Sequence, residues 1–322
     1  MMRNEMMLSR LIVAAAVLAA LPLSAQAQDY QGAQIRGLTR IDTTVRLDRG
    51  GAVDLSLISG RIRVTGWDRQ EVKVSASIDN GRLRFSASPS RVSLSVEDDN
   101  DGGRRNRHNN VGDARYEVSV PRGSRLILEA VSGDVTASGT QGEIEATSVS
   151  GDVDVTNGVG EVTVESVSGS VHAAQINGNL SAQSVSGDVR VETVTGDVEG
   201  STVSGNIRLI GVQSKDVRSE TVSGNVVYSG SIDAGGRYNF ESHSGTVRLN
   251  IPRGAGATFS VETFSGDINT DFPVTVPPGS GRRNGRMEFT IGDGRARVTA
   301  QTFSGSIVIN SGSDSTTRRD DE

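Results

Sequence analysis

Residues 147–155 read TSVSGDVDV, and the same nonapeptide returns at a pitch of eighteen: ESVSGSVHA at 165–173, QSVSGDVRV at 183–191, STVSGNIRL at 201–209 and, upstream, EAVSGDVTA at 129–137. Glycine alone recurs every nine residues, at 133, 142, 151, 160, 169, 178, 187, 196 and 205. Val-Ser-Gly fills only every second unit; the alternate ones, such as SGTQGEIEA and TNGVGEVTV, keep the glycine and lose the triplet. The repeat is therefore eighteen residues long with two different sides. On each side β-branched residues alternate with polar ones, as in Val189 and Val191 around Asp188 and Arg190, the period of a strand with one buried face. An antiparallel meander gives no reason for identity between i and i+18. A chain that returns to the same place after eighteen residues stacks like on like. The expected fold is all-β: a two-sided parallel β-solenoid with coils of 18–21 residues.

Outward from this core the pattern loosens. Upstream, SLISGRIRVTGW around Gly60 and the alternating runs EVKVSASI, RLRFSAS, VSLSVE and YEVSVP extend the same plan less regularly over 28–128. The polar insertion 97–110 is expected to be an exposed loop. Regular repeats are expected over 129–310 and a disordered polar tail over 311–322. Toward the C-terminus the glycine spacing widens from Gly205 to Gly224, Gly245, Gly266 and Gly305, and Phe240, Phe259, Phe264, Phe289 and Phe303 appear there. Wider coils need larger side chains to fill them at native density. Caps are expected in the first strands after Gln28 and near Ile307–Asn310, because open sheet ends invite pairing.

Residues 1–27 have the form of a secretory signal peptide, with Arg3 and Arg10, the apolar run LIVAAAVLAALPL and small residues before an expected cleavage after Ala27. The run is too short, and too interrupted by Pro22, for a retained span, and no later run is long enough to cross a bilayer. The chain has no cysteine, so its stability rests on burial and hydrogen bonding. Its formal charge is −6; removing Arg3, Arg10 and Glu5, a net +1, leaves about −7. That balance argues against nucleic acid as a partner.

The succession ISGRIRVTGWDRQEVKVSASI, VPRGSRLILEAVSGDV and then serial Ser-Gly-Asp-Val coils resembles the bacterial putative-adhesin family called domain of unknown function 4097, over roughly 39–310. The resemblance implies an extracytoplasmic, β-solenoid-like, non-enzymatic protein, with no catalytic residues to carry over.

Several residue groups could carry chemistry. The triplets Ser132-Gly133-Asp134, Ser150-Gly151-Asp152 and Ser186-Gly187-Asp188 head a column that continues through Ser170, Asn206, Asn225, Thr246 and Asp267. Stacked aspartates at about 4.8 Å come near the spacing of retaining-glycosidase carboxylates. Free exchange among Asp, Asn and Ser fits a structural turn ladder better, since all three hydrogen-bond backbone at bends. The nonapeptide differs from calcium-binding Gly-Gly-x-Gly-x-Asp repeats. The stretch Glu97, Asp99, Asp101 resembles the start of a calcium loop but has His108 where the bidentate glutamate belongs, among Arg104, Arg105 and Arg107. His108, His172 and His243 are far apart in sequence, and Trp67 reads as a packing anchor at a coil corner. No catalytic, cofactor-binding or metal residue is expected. The sequence points to an exported protein, periplasmic or on the cell surface, presenting a non-enzymatic binding or scaffold surface to an unidentified envelope protein or glycan. The alternatives are a polysaccharide lyase or hydrolase using the acidic column with Arg190 and Arg208, and a structural or envelope-stress accessory.

Overall fold

The computed structural model describes residues 33–97, 112–273 and 285–312. The signal segment with Ala27, most of the insertion 97–110, the excursion around Pro277 and the last ten residues lie outside the described residues. Every described element is a strand.

The central stack is built from short strands joined by two bends per coil. After β1 (Ala33–Leu38), β2 (Arg40–Arg46), β3 (Ala52–Trp67), β4 (Glu71–Ile78), β5 (Arg82–Ala87), β6 (Arg91–Glu97), β7 (Ala114–Pro121) and β8 (Arg125–Ser138), the regular coils begin. These are β9 (Ile144–Ser148), β10 (Val153–Thr156), β11 (Val162–Ser166), β12 (Val171–Asn177), β13 (Leu180–Ser184), β14 (Val189–Thr195), β15 (Val198–Thr202), β16 (Ile207–Val212), β17 (Asp216–Ser223) and β18 (Val226–Gly230). The long β8 pairs with both β9 and β10, and from there to β18 odd strands pair with odd and even with even, in parallel: Val162 lies opposite Ile144 and Leu180, Val153 opposite Val135 and Val171. Pairing partners are eighteen residues apart, so the two-sided parallel solenoid read from the repeat is the fold. We call the sheet of β9, β11 and their successors face one, and that of β10, β12 and theirs face two.

The inward residues of the two faces form a slim apolar core. Val153, Val155, Val162, Val164, Val171 and Ala173 are fully buried. Volume is conserved across it: face one supplies only Gly200 and Ser219 where face two supplies Leu209, whose side chain stands 3.6 Å from where a Gly200 Cβ would lie. Such compensation keeps a thin core free of voids.

Both ends depart from the serial plan. At the N-terminal end β3 spans both faces, bending at Gly60 and pairing with β8 along its whole length. Beyond β3 the stack closes with mixed pairings: β6 is parallel to β3, then β5 and β1 run antiparallel; β7 is parallel to β3, then β4 and β2 run antiparallel. Strands β1, β2 and β4–β7 are therefore a two-part cap and not further coils. Trp67 sits half-buried at the end of β3, its Nε1 donating to the Glu71 carbonyl at 2.8 Å across the turn into β4.

At the C-terminal end, β19 (Arg237–Ser244), β20 (Val247–Pro252), β21 (Ala257–Ser265), β22 (Ile268–Thr270), β23 (Arg286–Ile291), β24 (Ala296–Ser304) and β25 (Ile307–Gly312) stack out of order. β24 lies between β19 and β21, and β25 between β20 and β22. The wide glycine spacing before Gly305 reflects this reversal, not only a larger cross-section. The expectation of a cap near Ile307–Asn310 is overturned: that strand is interior, and the end is closed by β21, β22 and the antiparallel β23. The tail assignment also shifts, because Ser311 and Gly312 belong to β25. Tyr228, Tyr238, Phe240, Phe259 and Phe289 fill the wider core as expected, but Phe264 and Phe303 point outward.

Candidate functional site

The Ser-Gly-Asp bends define one edge of the rod, and each residue in them has a distinct task. A Cβ at Gly151, Gly169 or Gly187 would stand 2.1, 2.0 and 2.0 Å from the carbonyl oxygen of the glycine one coil below. Glycine is required there by close approach of backbone to backbone. The aspartate column reaches up the stack. Oδ1 of Asp152 accepts the Ser170 N–H at 2.8 Å, Oδ1 of Asp188 accepts that of Asn206 at 2.8 Å, and Oδ1 of Asn225 that of Thr246 at 2.9 Å. Asp134 does the same for Asp152 at 3.3 Å. The aspartate column thus forms a ladder whose bonds join successive coils instead of closing the local bend.

The serines of the triplets, Ser132, Ser150 and Ser186, are exposed, and they contribute backbone: the Ser150 N–H donates to the Val131 carbonyl. A second ladder, missed in the sequence, lies beneath. Buried Ser148 donates to the Gly133 carbonyl and accepts from the Gly151 N–H, both at 2.9 Å; Ser166 and Ser184 repeat both bonds one and two coils on. Thr202, Thr221, Ser242, Thr302 and Thr263 donate in the same way at the following rungs. Its trace in the sequence is a hydroxyl residue three positions before each Ser-Gly glycine from Gly151 onward, at Ser148, Ser166, Ser184, Thr202, Thr221, Ser242, Thr263 and Thr302.

The two faces differ outside. Face one carries Glu129, Glu145, Glu165, Glu199, Glu220, Glu241 and Glu262 in adjacent columns. On face two, Asp154, His172, Arg190, Arg208, Val227 and Arg248 stack in one column. His172 lies 2.9 Å from Asp154 through Nδ1, and the Arg190 guanidinium is held by Glu192. The arginines offered as catalytic partners therefore stand beside the aspartate column, but Arg190 is committed to its own strand. Among the described residues no three histidine, aspartate or glutamate side chains are grouped to hold a metal ion.

Along the border between face one and the Ser-Gly-Asp edge runs an exposed apolar stripe. In spatial order it comprises Ile58, Val131, Val149, Val167, Val185, Val203, Val222, His243, Phe303 and Phe264. Its valines are 43–49% exposed, and Phe303 and Phe264 50% and 77%. At about 4.8 Å per rung it is roughly 40 Å long. These are the valines of the Val-Ser-Gly triplet, whose repetition in the sequence marks a surface feature as well as a bend.

No curated protein matches the chain. Among solved structures, the crystal structure of a putative cell adhesion protein from Clostridium sporogenes ATCC 15579 is similar over 84% of this chain and 99% of its own, at 13% identity and a TM-score of 0.25. The family model described as Toastrack DUF4097 matches residues 52–310, and the chain belongs to that family.

Proposed function

We propose that the protein is an exported, adhesin-like scaffold of the cell envelope that works by binding another macromolecule along its rod, without catalysis. The observation that carries this reading is the apolar stripe from Ile58 to Phe264. Soluble proteins seldom leave contiguous apolar surface uncovered without a binding role, and here ten successive rungs carry nine exposed apolar side chains and His243. A column that served only the bend would accept any small polar residue at this position. The acidic column supports the same reading over hydrolysis, since Oδ1 of Asp134, Asp152 and Asp188 is occupied by the backbone of the next coil. Export is supported by the form of residues 1–27.

The test is site-specific photo-crosslinking in the native cell. A photoreactive side chain at Val149, Val167 or Val185 is expected to give a discrete adduct in the envelope fraction, while one at Arg208 on face two gives none. Absence of adducts from all three stripe positions would overturn the proposal.

A further inference from the structure

The stripe changes character at its C-terminal end. There His243, Phe303 and Phe264 form a continuous stack, with centroids 4.9 and 4.8 Å apart and planes within 6° and 3° of parallel. The spacing of the rings is that of the coils, so each ring lies flat on the one below. Among the described residues Phe264 ends the column. The closing strand β23 starts at Arg286, opposite Glu262, the Gly285 carbonyl before it accepts the Thr263 N–H at 3.0 Å, and the Phe264 ring is 77% exposed.

Beside this stack runs the column of Glu220, Glu241, Gln301 and Glu262, two residues earlier on each strand. Two residues of strand place the columns about 6.6 Å apart. Rings and carboxylates line one shallow open depression. Glu220 is paired with Arg218 at 3.1 Å, and Glu241 accepts from Asn239 at 2.6 Å. Arg286, the nearest described cation on the closing strand, is bound to Glu288 and Ser260, and Glu262 makes no ion pair among the described residues.

We propose that this end of the rod is a recognition site for an arginine-rich apolar segment of a partner protein, a reading that rests on the binding role given above and names its chemistry. A guanidinium is planar, weakly hydrated and attracted to the face of an aromatic ring. Laid on the outer face of Phe264 it continues the ring stack, with Glu262, two residues away on the same strand, facing its N–H groups and Glu241, two rungs below, facing a second arginine of the segment; the segment's apolar side chains lie along Phe303 and Val222. A second copy docked symmetrically, stripe to stripe, is a poor occupant, because it would bring glutamate columns against glutamates, and like charges across an interface oppose association. An acidic partner is excluded by the same charges.

The test uses the purified chain beginning at Gln28 and three fluorescent hexapeptides: alternating Arg-Phe, alternating Glu-Phe and alternating Arg-Ser. Anisotropy titration is expected to show binding of Arg-Phe only, weakening with added salt. Phe264→Ser, and separately the pair Glu241→Gln with Glu262→Gln, are expected to lower its affinity at least tenfold. Phe264→Tyr is expected to retain it, and Arg208→Ser, on face two, to change it less than twofold. Unchanged thermal midpoints guard against unfolding. The proposal is overturned if Phe264→Ser binds within twofold of the parent, if Glu-Phe binds equally well, or if sedimentation shows a dimer that Phe264→Ser abolishes. It is also overturned if replacing the chain's own Arg282 and Arg283 by serine raises affinity tenfold, which would make them the occupant. Failed crosslinking at Val149, Val167 and Val185 would leave this peptide result intact, so the two readings fail separately.

Discussion

At the residue scale the solenoid is held by groups that serve two coils at once. Ser166 satisfies a buried carbonyl on Gly151 and a buried N–H on Gly169. Ser166→Ala leaves both without the hydroxyl, and an unpaired buried polar group costs about 1–3 kcal/mol; a loss in that range is expected in denaturant unfolding. Ser166→Thr should be close to neutral, because Thr202 and Thr221 already fill equivalent rungs. Stacking also imposes strain. Gly139, Asn157, Gln175, Thr193 and Gly211 form a column at the opposite bend with φ between 55° and 71°, a region that β-branched residues strongly avoid. Thr193→Asn is therefore expected to stabilise the fold by about 1 kcal/mol. Strand, bend and repeat were legible because alternation and glycine spacing are local signals. The buried hydroxyl was not, because Ser148 and Ser150 stand two residues apart and would share a side in an unbroken strand. The bend after Ser148 ends that alternation, leaving one hydroxyl buried and the other exposed. The phenols of Tyr116 and Tyr228 are pushed far above the ordinary tyrosine value of 10.0 by burial. A group whose folded pKa is raised contributes stability that is full below its unfolded pKa and is lost as pH rises toward the folded one. Stability should hold up to about pH 10 and fall above it, and Tyr228→Phe should flatten that fall, read as the thermal midpoint against pH.

At the element scale the instructive feature is the last coil. β24 and β25 insert between strands made earlier, so β21 and β22 have no solenoid neighbour until the end of the chain arrives. The sequence could not show this. Each coil carries the same alternation and the same Ser-Gly bend, so Phe303-Ser304-Gly305 fits equally above Phe264-Ser265-Gly266 or below it. The order is decided by chain reach and by β23, which covers β21 on its outer side. For the same reason the N-terminal antiparallel pairings were hidden: EVKVSASI alternates identically whichever way its neighbour runs. The stacking order predicts the outcome of truncation. Ending the chain at Arg295 removes an internal coil, and hydrogen exchange should show protection lost in β21, β22 and β23 as well. Had the coils been serial, those residues would stay protected.

At the scale of the whole molecule, face one comprises fourteen strands, from β1 through β5, β6, β3, β8 and the odd coils to β24, β21 and β23. At the usual spacing the rod is roughly 60 Å long. Each central coil touches only its neighbours, so stability accumulates interface by interface, and the two mixed caps stop the ends from pairing with other chains. This architecture makes whole coils removable. Deleting 152–169 joins Gly151 to Ser170, sets Val171 on Val135 and Leu180 on Ile144, and lets Ser184 bridge Gly151 and Gly187 in place of Ser166. Every remaining residue keeps its face, its burial and its bonded partner type. That variant should fold with an unchanged circular dichroism shape and a modestly lower thermal midpoint. Deleting only 152–160 removes as many bends as half a coil, sends β11 to face two, and exchanges the two sides for everything downstream. Its glycine columns would meet the wrong bends and its hydroxyl ladder would break at Ser166, so the chain should fail to give a cooperative transition. If both deletions behaved alike, the eighteen-residue, two-sided coil would not be the unit that holds this protein together.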